Sequence, residues 1–277
     1  MRLAIKFGYD GNAFHGSQRQ KNSITVEGKI LKFLVENNLL ASEHKFQCAS
    51  RTDAGVSALG NVIAFNTTER AEKILGMLNT MSDDMWFYGF AEVNAKFNPR
   101  RARERWYRYF LAVHKCGNED ALKKILGMFT GRHDFANFTR NKGVNTVREL
   151  YRIDVSRMED FYVLDFYGNS FLWGMIRKIV GAAEYVMAGK YSANTIADAL
   201  AQKIRIDFPM AEPQYLILMD VRYDFEFMVS NTIKRQLQRK IERTFGNLVV
   251  KNEIERGLKH RLSCTSSTEG NCNPCKQ

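Results

Sequence analysis

No stretch of the 277-residue chain approaches the roughly 18–20 uninterrupted apolar residues that a membrane span requires. The opening residues, MRLAIKFGYDG, alternate like a strand and lack a long apolar h-region, so a signal peptide is not expected. Cysteine is sparse: three of the five crowd at Cys264, Cys272 and Cys275, which does not resemble a secreted disulfide framework. These absences point to a soluble cytoplasmic protein with no membrane partner. There is also no P-loop and no dinucleotide fingerprint, the usual marks of nucleotide hydrolysis and hydride transfer. No short-period repeat appears. With 45% apolar and 26% charged residues, wholesale disorder and fibrous architectures are excluded as well.

What the chain does have is an excess of 41 Lys and Arg over 30 Asp and Glu, a formal net charge of +11. The excess is localised. Residues 1–96 are net +1 and residues 109–228 are neutral, whereas the short segment 97–108 carries five Arg against one Glu. Residues 229–277 carry 10 bases and 4 acids. Such concentration is the footprint of a polyanionic partner, most often nucleic acid, with plain solubility charge as the alternative.

Leu3, Ile5 and Phe7 alternate with polar or small residues and predict a strand, followed by the glycine-punctuated loop YDGNAFHGSQRQ. Thr25 is placed to cap a helix bearing Val26, Ile30, Phe33 and Leu34 on one face. Further strands are predicted at 46–49, 61–65, 86–93, 106–113, 147–155, 162–167 and 216–221. Leu122, Ile125, Leu126 and Phe129 predict a second helix, 171–187 a long one, and Asn194 the cap of another through Leu200. Interspersed strands and helices imply an α+β chain with antiparallel pairing. The order strand, loop, helix occurs at 2–35 and again at 106–129, suggesting two similar halves, 1–100 and 101–228. Beyond them, Ile233, Leu237, Ile241 and Phe245 predict an amphipathic basic helix ending near Gly246, and then a polar tail.

The most informative segment is CASRTDAGVSALGNVIAFNT, residues 48–67. Gly55 can take a positive φ and Ala54 keeps the loop tip small, so a planar ligand can approach the Asp53 carboxylate. Arg51 is near enough to keep that carboxylate ionised by pairing. Alone, the tetrapeptide from Thr52 to Gly55 also describes an Asx-type turn with no chemistry.

Context favours the chemical reading. RTDAGV before an apolar strand resembles the catalytic loop of the TruA family of tRNA pseudouridine synthases. In the same order, KFGYDGNAFHGSQRQ, NAKFNPRRARERWYRYFLAV, GRHDFANF, SFLWGMIRKIVGA and FPMAEPQYLILMDVRY resemble that family's other segments, covering residues 1 to about 225. The chain departs from the usual bacterial pattern at Ser17, Ser50 and Ser57. The resemblance implies two ferredoxin-like (RRM-like) α+β halves whose mixed, mainly antiparallel sheets join across a central catalytic cleft. It implies isomerisation of uridine in the anticodon stem-loop of tRNA, at one or more of positions 38, 39 and 40, by a homodimer that needs no cofactor or metal. Asp53 is then the catalytic carboxylate, Tyr107 the active-site tyrosine, and Arg177 the arginine that pairs with Asp53. The base must be flipped from its stem to reach a buried carboxylate.

Around these, Arg51 is expected to bind substrate, and Arg100, Arg101, Arg103 and Arg105 to contact phosphates. Asp10 and Gln18 lie in a loop near the RNA. Phe171, Leu172, Met175 and Ile176 are expected in the core, and Asp134, next to His133, as a cap or structural hydrogen-bonder. Three other readings stay open: a non-catalytic RNA-binding module, a glycosidase that uses Asp53 to release uracil, and a synthase of this family acting on other uridines. In the tail, His260, Cys264, Cys272 and Cys275 form a candidate tetrahedral zinc set of unusual spacing, with an unliganded thiol tail as the alternative.

Overall fold

In the computed structural model, which describes residues 1–41 and 45–242, the chain starts with strand β1 (Arg2–Tyr9) and helix α1 (Val26–Glu36). Thr25 caps α1 as its sequence suggests, its hydroxyl accepting from the Gly28 N–H at 3.3 Å. There follow β2 (Gln47–Cys48), β3 (Ser57–Asn66), α2 (Ala71–Leu78) and β4 (Met85–Val93). A linking segment leads into β5 (Glu104–Ala112), α3 (Glu119–Gly127), β6 (Gly131–Asp134) and β7 (Val147–Met158). Then come β8 (Phe161–Gly168), α4 (Met175–Met187), α5 (Ala193–Leu200) and β9 (Leu216–Arg222).

All nine strands belong to one sheet. Its first four run β4-β1-β3-β2 and its next four β9-β5-β8-β7, with β6 on the outer edge of β7. Each group is antiparallel throughout and uses the same permutation, two ferredoxin-like arrangements side by side. The groups join where β3 and β9 pair in parallel, Ser57 opposite Ile217 and Ala58 opposite Leu218. The Asp53 loop runs directly into β3, so the topology puts it at this seam.

Residue alternation decides which face of each strand is covered. Along β5, Tyr107, Tyr109 and Leu111 are buried while Trp106, Arg108 and Phe110 are half-exposed. In β1 both faces are covered, with Leu3, Ile5 and Phe7 inaccessible and Ala4 equally so. α3 buries Leu122, Ile125 and Leu126, with Phe129 buried two residues beyond its end.

Two expectations are corrected, and two elements appear that the sequence reading does not predict. The long helix predicted over 171–187 begins only at Met175, because Gly174 takes φ 73° and breaks the helical path. Phe171 and Leu172 therefore lie in the loop before α4 rather than on its face. Ser192, not Asn194, caps α5, its hydroxyl accepting from the Thr195 N–H at 3.3 Å. GRHDF is strand β6 running into a short 3-10 turn at Ala136–Phe138, an element the spacing does not predict. And α2, which carries the buried stripe Ala71, Ile74, Leu75 and Leu78, was not foreseen.

Residues Met1–Ser230 form one compact unit. A second unit starts at Asn231, and of it residues 231–242 are described as helical, carrying Ile233, Leu237 and Ile241. Phe245, Gly246 and the candidate zinc ligands His260, Cys264, Cys272 and Cys275 lie outside the described residues. Among the described residues no helix is long and apolar enough to cross a membrane, and no His, Cys, Asp and Glu cluster could hold a metal ion.

Candidate active site

The loop that carries Asp53 is fastened residue by residue. Thr52 gives its N–H to the Ser17 Oγ at 2.7 Å, takes the Ser17 N–H on its carbonyl at 3.0 Å, and shares a 2.7 Å hydroxyl contact with Tyr9. Gly55 turns the chain at φ 82°, as its position predicts, and a β-carbon there would meet the Pro213 ring at 3.2 Å. Gly11 allows the closest approach, since a β-carbon there would meet the Val56 carbonyl at 2.3 Å. The three serines at which the chain departs from the bacterial pattern all anchor this region. Ser17 holds Thr52, Ser57 accepts from the Gly11 N–H at 3.0 Å, and Ser50 accepts from Arg105 Nε at 3.0 Å.

A cleft of about 880 Å³ opens above the loop. Its walls come from both strand groups: His15, Gln18, Arg51 and Asp53 from the first, and Arg100, Tyr107, Arg140, Phe171, Trp173 and Arg177 from the linker and second. Asp53 receives two donors. Arg177 Nη1 reaches Oδ2 at 2.7 Å, and Trp173 Nε1 reaches Oδ1 at 2.7 Å. The Arg177 guanidinium is itself oriented, since its Nε donates to the Ala211 carbonyl at 2.7 Å. Both partners of the ion pair are largely enclosed, 14% and 19% exposed at the side chain.

Tyr107 lies under the cleft, buried, with its ring edge-on to Phe171 at 5.2 Å between centroids. Burial pushes its phenol above the ordinary tyrosine value, with the Arg105 cation opposing. The hydroxyl is therefore protonated at neutral pH and can donate a hydrogen bond.

The structure thus brings Arg51, Asp53, Tyr107 and Arg177 to one cleft, but not all in the expected arrangement. Arg51 stands exposed at the rim and makes no ion pair with any described residue; the partner of Asp53 is Arg177. The four linker arginines differ in kind. Arg100 is exposed and lines the cleft, while Arg101 is exposed outside it. Arg103 is exposed and pairs with Asp224 at 3.5 Å.

Arg105 corrects the expectation of a phosphate contact. It is buried, and its guanidinium is occupied by Ser50 Oγ and the carbonyls of Ala49, Arg100 and Asn169. It fixes the entrance to the Asp53 loop rather than facing solvent. Asp10 caps the turn at Gly11–Ala13 by accepting from the Asn12 N–H at 3.0 Å, and Gln18 is exposed in the cleft. Asp134 accepts from the Ala136 N–H at 3.0 Å and from Thr146 Oγ1 at 2.5 Å, a structural role.

Trp173 and Arg140 are cleft residues that the sequence reading does not single out. The sequence predicts one uninterrupted helix over 171–187 with Phe171, Leu172, Met175 and Ile176 in the core, and gives Trp173 no role. Gly174, immediately before α4, was the available signal that the chain leaves the helix there and turns Trp173 toward Asp53.

A carboxylate held by an arginine and an indole N–H, beside a protonated tyrosine in an open cleft, is equipped for nucleophilic or acid–base chemistry on a flat polar ligand. A family model described as tRNA pseudouridine synthase matches residues 125–224. A protein of Pyrococcus abyssi (strain GE5 / Orsay) named tRNA pseudouridine synthase A is 39% identical over 252 residues, covering 88% of this chain and 94% of that protein. A protein of the same name from Pyrococcus furiosus is 39% identical over 249 residues, covering 88% and 92%. Another, from Picrophilus torridus, is 37% identical over 224 residues, covering 81% and 83%. The protein is an isomerase of the pseudouridine synthase class. It belongs to the tRNA pseudouridine synthase A (TruA) family.

Proposed function

We propose that this protein converts uridine to pseudouridine in the anticodon stem-loop of tRNA, at one or more of positions 38, 39 and 40, with Asp53 as the catalytic carboxylate. The observation that carries the reading is the Asp53 carboxylate itself. It stands at the seam of the two strand groups, in a cleft of about 880 Å³, with Arg177 on one oxygen. The reaction breaks the N1–C1′ bond, turns the uracil, joins C5 to C1′, and exchanges the proton lost from C5 for one taken up at N1. Nothing is oxidised or reduced, so the chemistry calls for no redox cofactor.

Several neighbouring groups have a part in this scheme. Arg177 sets a cation against Oδ2 of Asp53, the carboxylate that acts as nucleophile or base at the ribose. Tyr107, held protonated by burial, offers its ring edge and hydroxyl to the flipped base. Arg51, Arg100 and Arg140, exposed around the cleft, supply phosphate contacts that fix the stem without reading its sequence. We further propose that the protein acts in the cytoplasm as a homodimer, with one tRNA touching both subunits.

Mapping pseudouridines in unmodified tRNA treated with purified protein, beside Asp53→Ala, tests this reading. New pseudouridine confined to positions 38–40, and none with the variant, is expected. Modification elsewhere would move the substrate assignment, and release of free uracil would replace isomerisation by glycosidic cleavage.

A further inference from the structure

Trp173 has no part in the scheme above, yet it touches the group at its centre. Its indole N–H occupies Asp53 Oδ1 at 2.7 Å while Arg177 occupies Oδ2 at the same distance. A carboxylate held through one oxygen can still swing about its Cβ–Cγ bond. Donors on both oxygens fix its plane.

The segment that presents the indole is clamped in turn. The Trp173 N–H donates to Asn141 Oδ1 at 2.8 Å, and its carbonyl accepts from the Arg140 N–H and the Thr139 hydroxyl, both at 3.0 Å. The Arg140 guanidinium lies 4.9 Å from the ring centroid, within cation–π range. The left-handed Gly174 then turns the chain into α4, which carries Arg177. For all this fastening, Trp173 is 51% exposed. Burial of apolar surface therefore does not account for its placement, whereas the hydrogen bond to Asp53 does.

We propose that Trp173 is a positioning residue for the isomerisation: its indole N–H sets the plane in which the Asp53 carboxylate meets the target nucleotide. The proposal rests on the reading of Asp53 as the catalytic carboxylate. It assigns Trp173 to the rate of the chemical step and not to tRNA affinity.

The test separates those two quantities. Single-turnover rates at saturating enzyme and tRNA dissociation constants are measured for the wild type, Trp173→Phe and Trp173→benzothienylalanine, with Asp53→Ala as control. The benzothienyl side chain keeps the shape of indole and replaces its N–H by sulfur, so it answers the question even if the Phe variant folds poorly. Loss of a hydrogen bond to a charged group predicts a rate reduced roughly 10- to 100-fold in both variants. The dissociation constant should stay within about twofold of wild type, as for an interaction expressed in the transition state. A benzothienyl variant as fast as wild type overturns the proposal. So does a weaker dissociation constant with an unchanged saturated rate, which would make Trp173 a binding residue only. Residual activity in Asp53→Ala would instead overturn the catalytic assignment of Asp53, an outcome distinct from either.

Discussion

The buried Arg105 guanidinium donates through Nε to Ser50 Oγ at 3.0 Å, tying β5 to a residue 55 positions earlier at the entrance to the Asp53 loop. The same side chain serves the carbonyls of Ala49, Arg100 and Asn169. Truncation strands Ser50 Oγ and the Ala49 carbonyl, the buried acceptors of this set, and each costs about 1–3 kcal/mol if left unpaired. Arg105→Ala is therefore expected to lower stability by at least about 2 kcal/mol and to cut activity through the loop. Urea denaturation checks the first. Single-turnover kinetics check the second, and because Arg105 contacts no phosphate, the folded variant should keep the wild-type salt slope of tRNA binding.

The cleft arginines should behave in the opposite way. Arg100 and Arg140 are exposed at the cleft, and neither forms an ion pair with a described residue. Arg100→Ala and Arg140→Ala are expected to weaken tRNA binding and to reduce the slope of log affinity against log salt by about one each. Thermal stability should not move. Filter binding at several salt concentrations reads this, and unchanged slopes would remove both residues from the RNA contact.

Arg177 makes two bonds from different nitrogens, one to Asp53 and one to the Ala211 carbonyl. Lysine has the charge but not the planar fork, so Arg177→Lys cannot reproduce both. Loss of one charge-assisted bond, about 1.5–3 kcal/mol, predicts a turnover roughly 10- to 150-fold slower. tRNA affinity should be nearly unaffected. Single-turnover kinetics beside equilibrium binding distinguish this from a general loss of fold.

Alkaline pH should destabilise the protein before it affects a neutral-pH assay. Burial raises the phenols of Tyr9, Tyr88, Tyr107, Tyr109 and Tyr223. In the unfolded chain they ionise near pH 10, so above that pH the unfolded state binds fewer protons than the native one. Stability then falls as pH rises. Burial also raises the thiols of Cys48 and Cys116, to about 12 and about 11. The urea midpoint should therefore begin to decline near about pH 9 and fall more steeply above about pH 10; a midpoint flat to about pH 11 would contradict it.

Much of the fold was legible because strand alternation and helical spacing are local signals. β1, β4, β5 and β8 fall close to where Leu3–Phe7, Trp86–Val93, Trp106–Val113 and Tyr162–Tyr167 put them. The order of strands was not legible in spacing, since the parallel β3–β9 pairing joins residues some 160 apart. It came with the family resemblance. The site divides along the same line. Asp53 stands out locally, in a loop marked by Gly55, and the flanking motif singled out Arg177. The burial of Arg105 and the turn of Trp173 toward Asp53 depend on contacts 55 and 120 residues distant. An arginine-rich run looks the same whether its members face RNA or the protein interior.

The central claim is that the Asp53 carboxylate performs the isomerisation, and the most direct measurement is tritium release from tRNA labelled at uridine C5. Wild-type protein should release label in proportion to pseudouridine formed. Asp53→Asn, which keeps the side chain's size and removes its charge, should bind the same tRNA with similar affinity and release none above background. Release by Asp53→Asn at more than a few per cent of the wild-type rate would contradict the assignment.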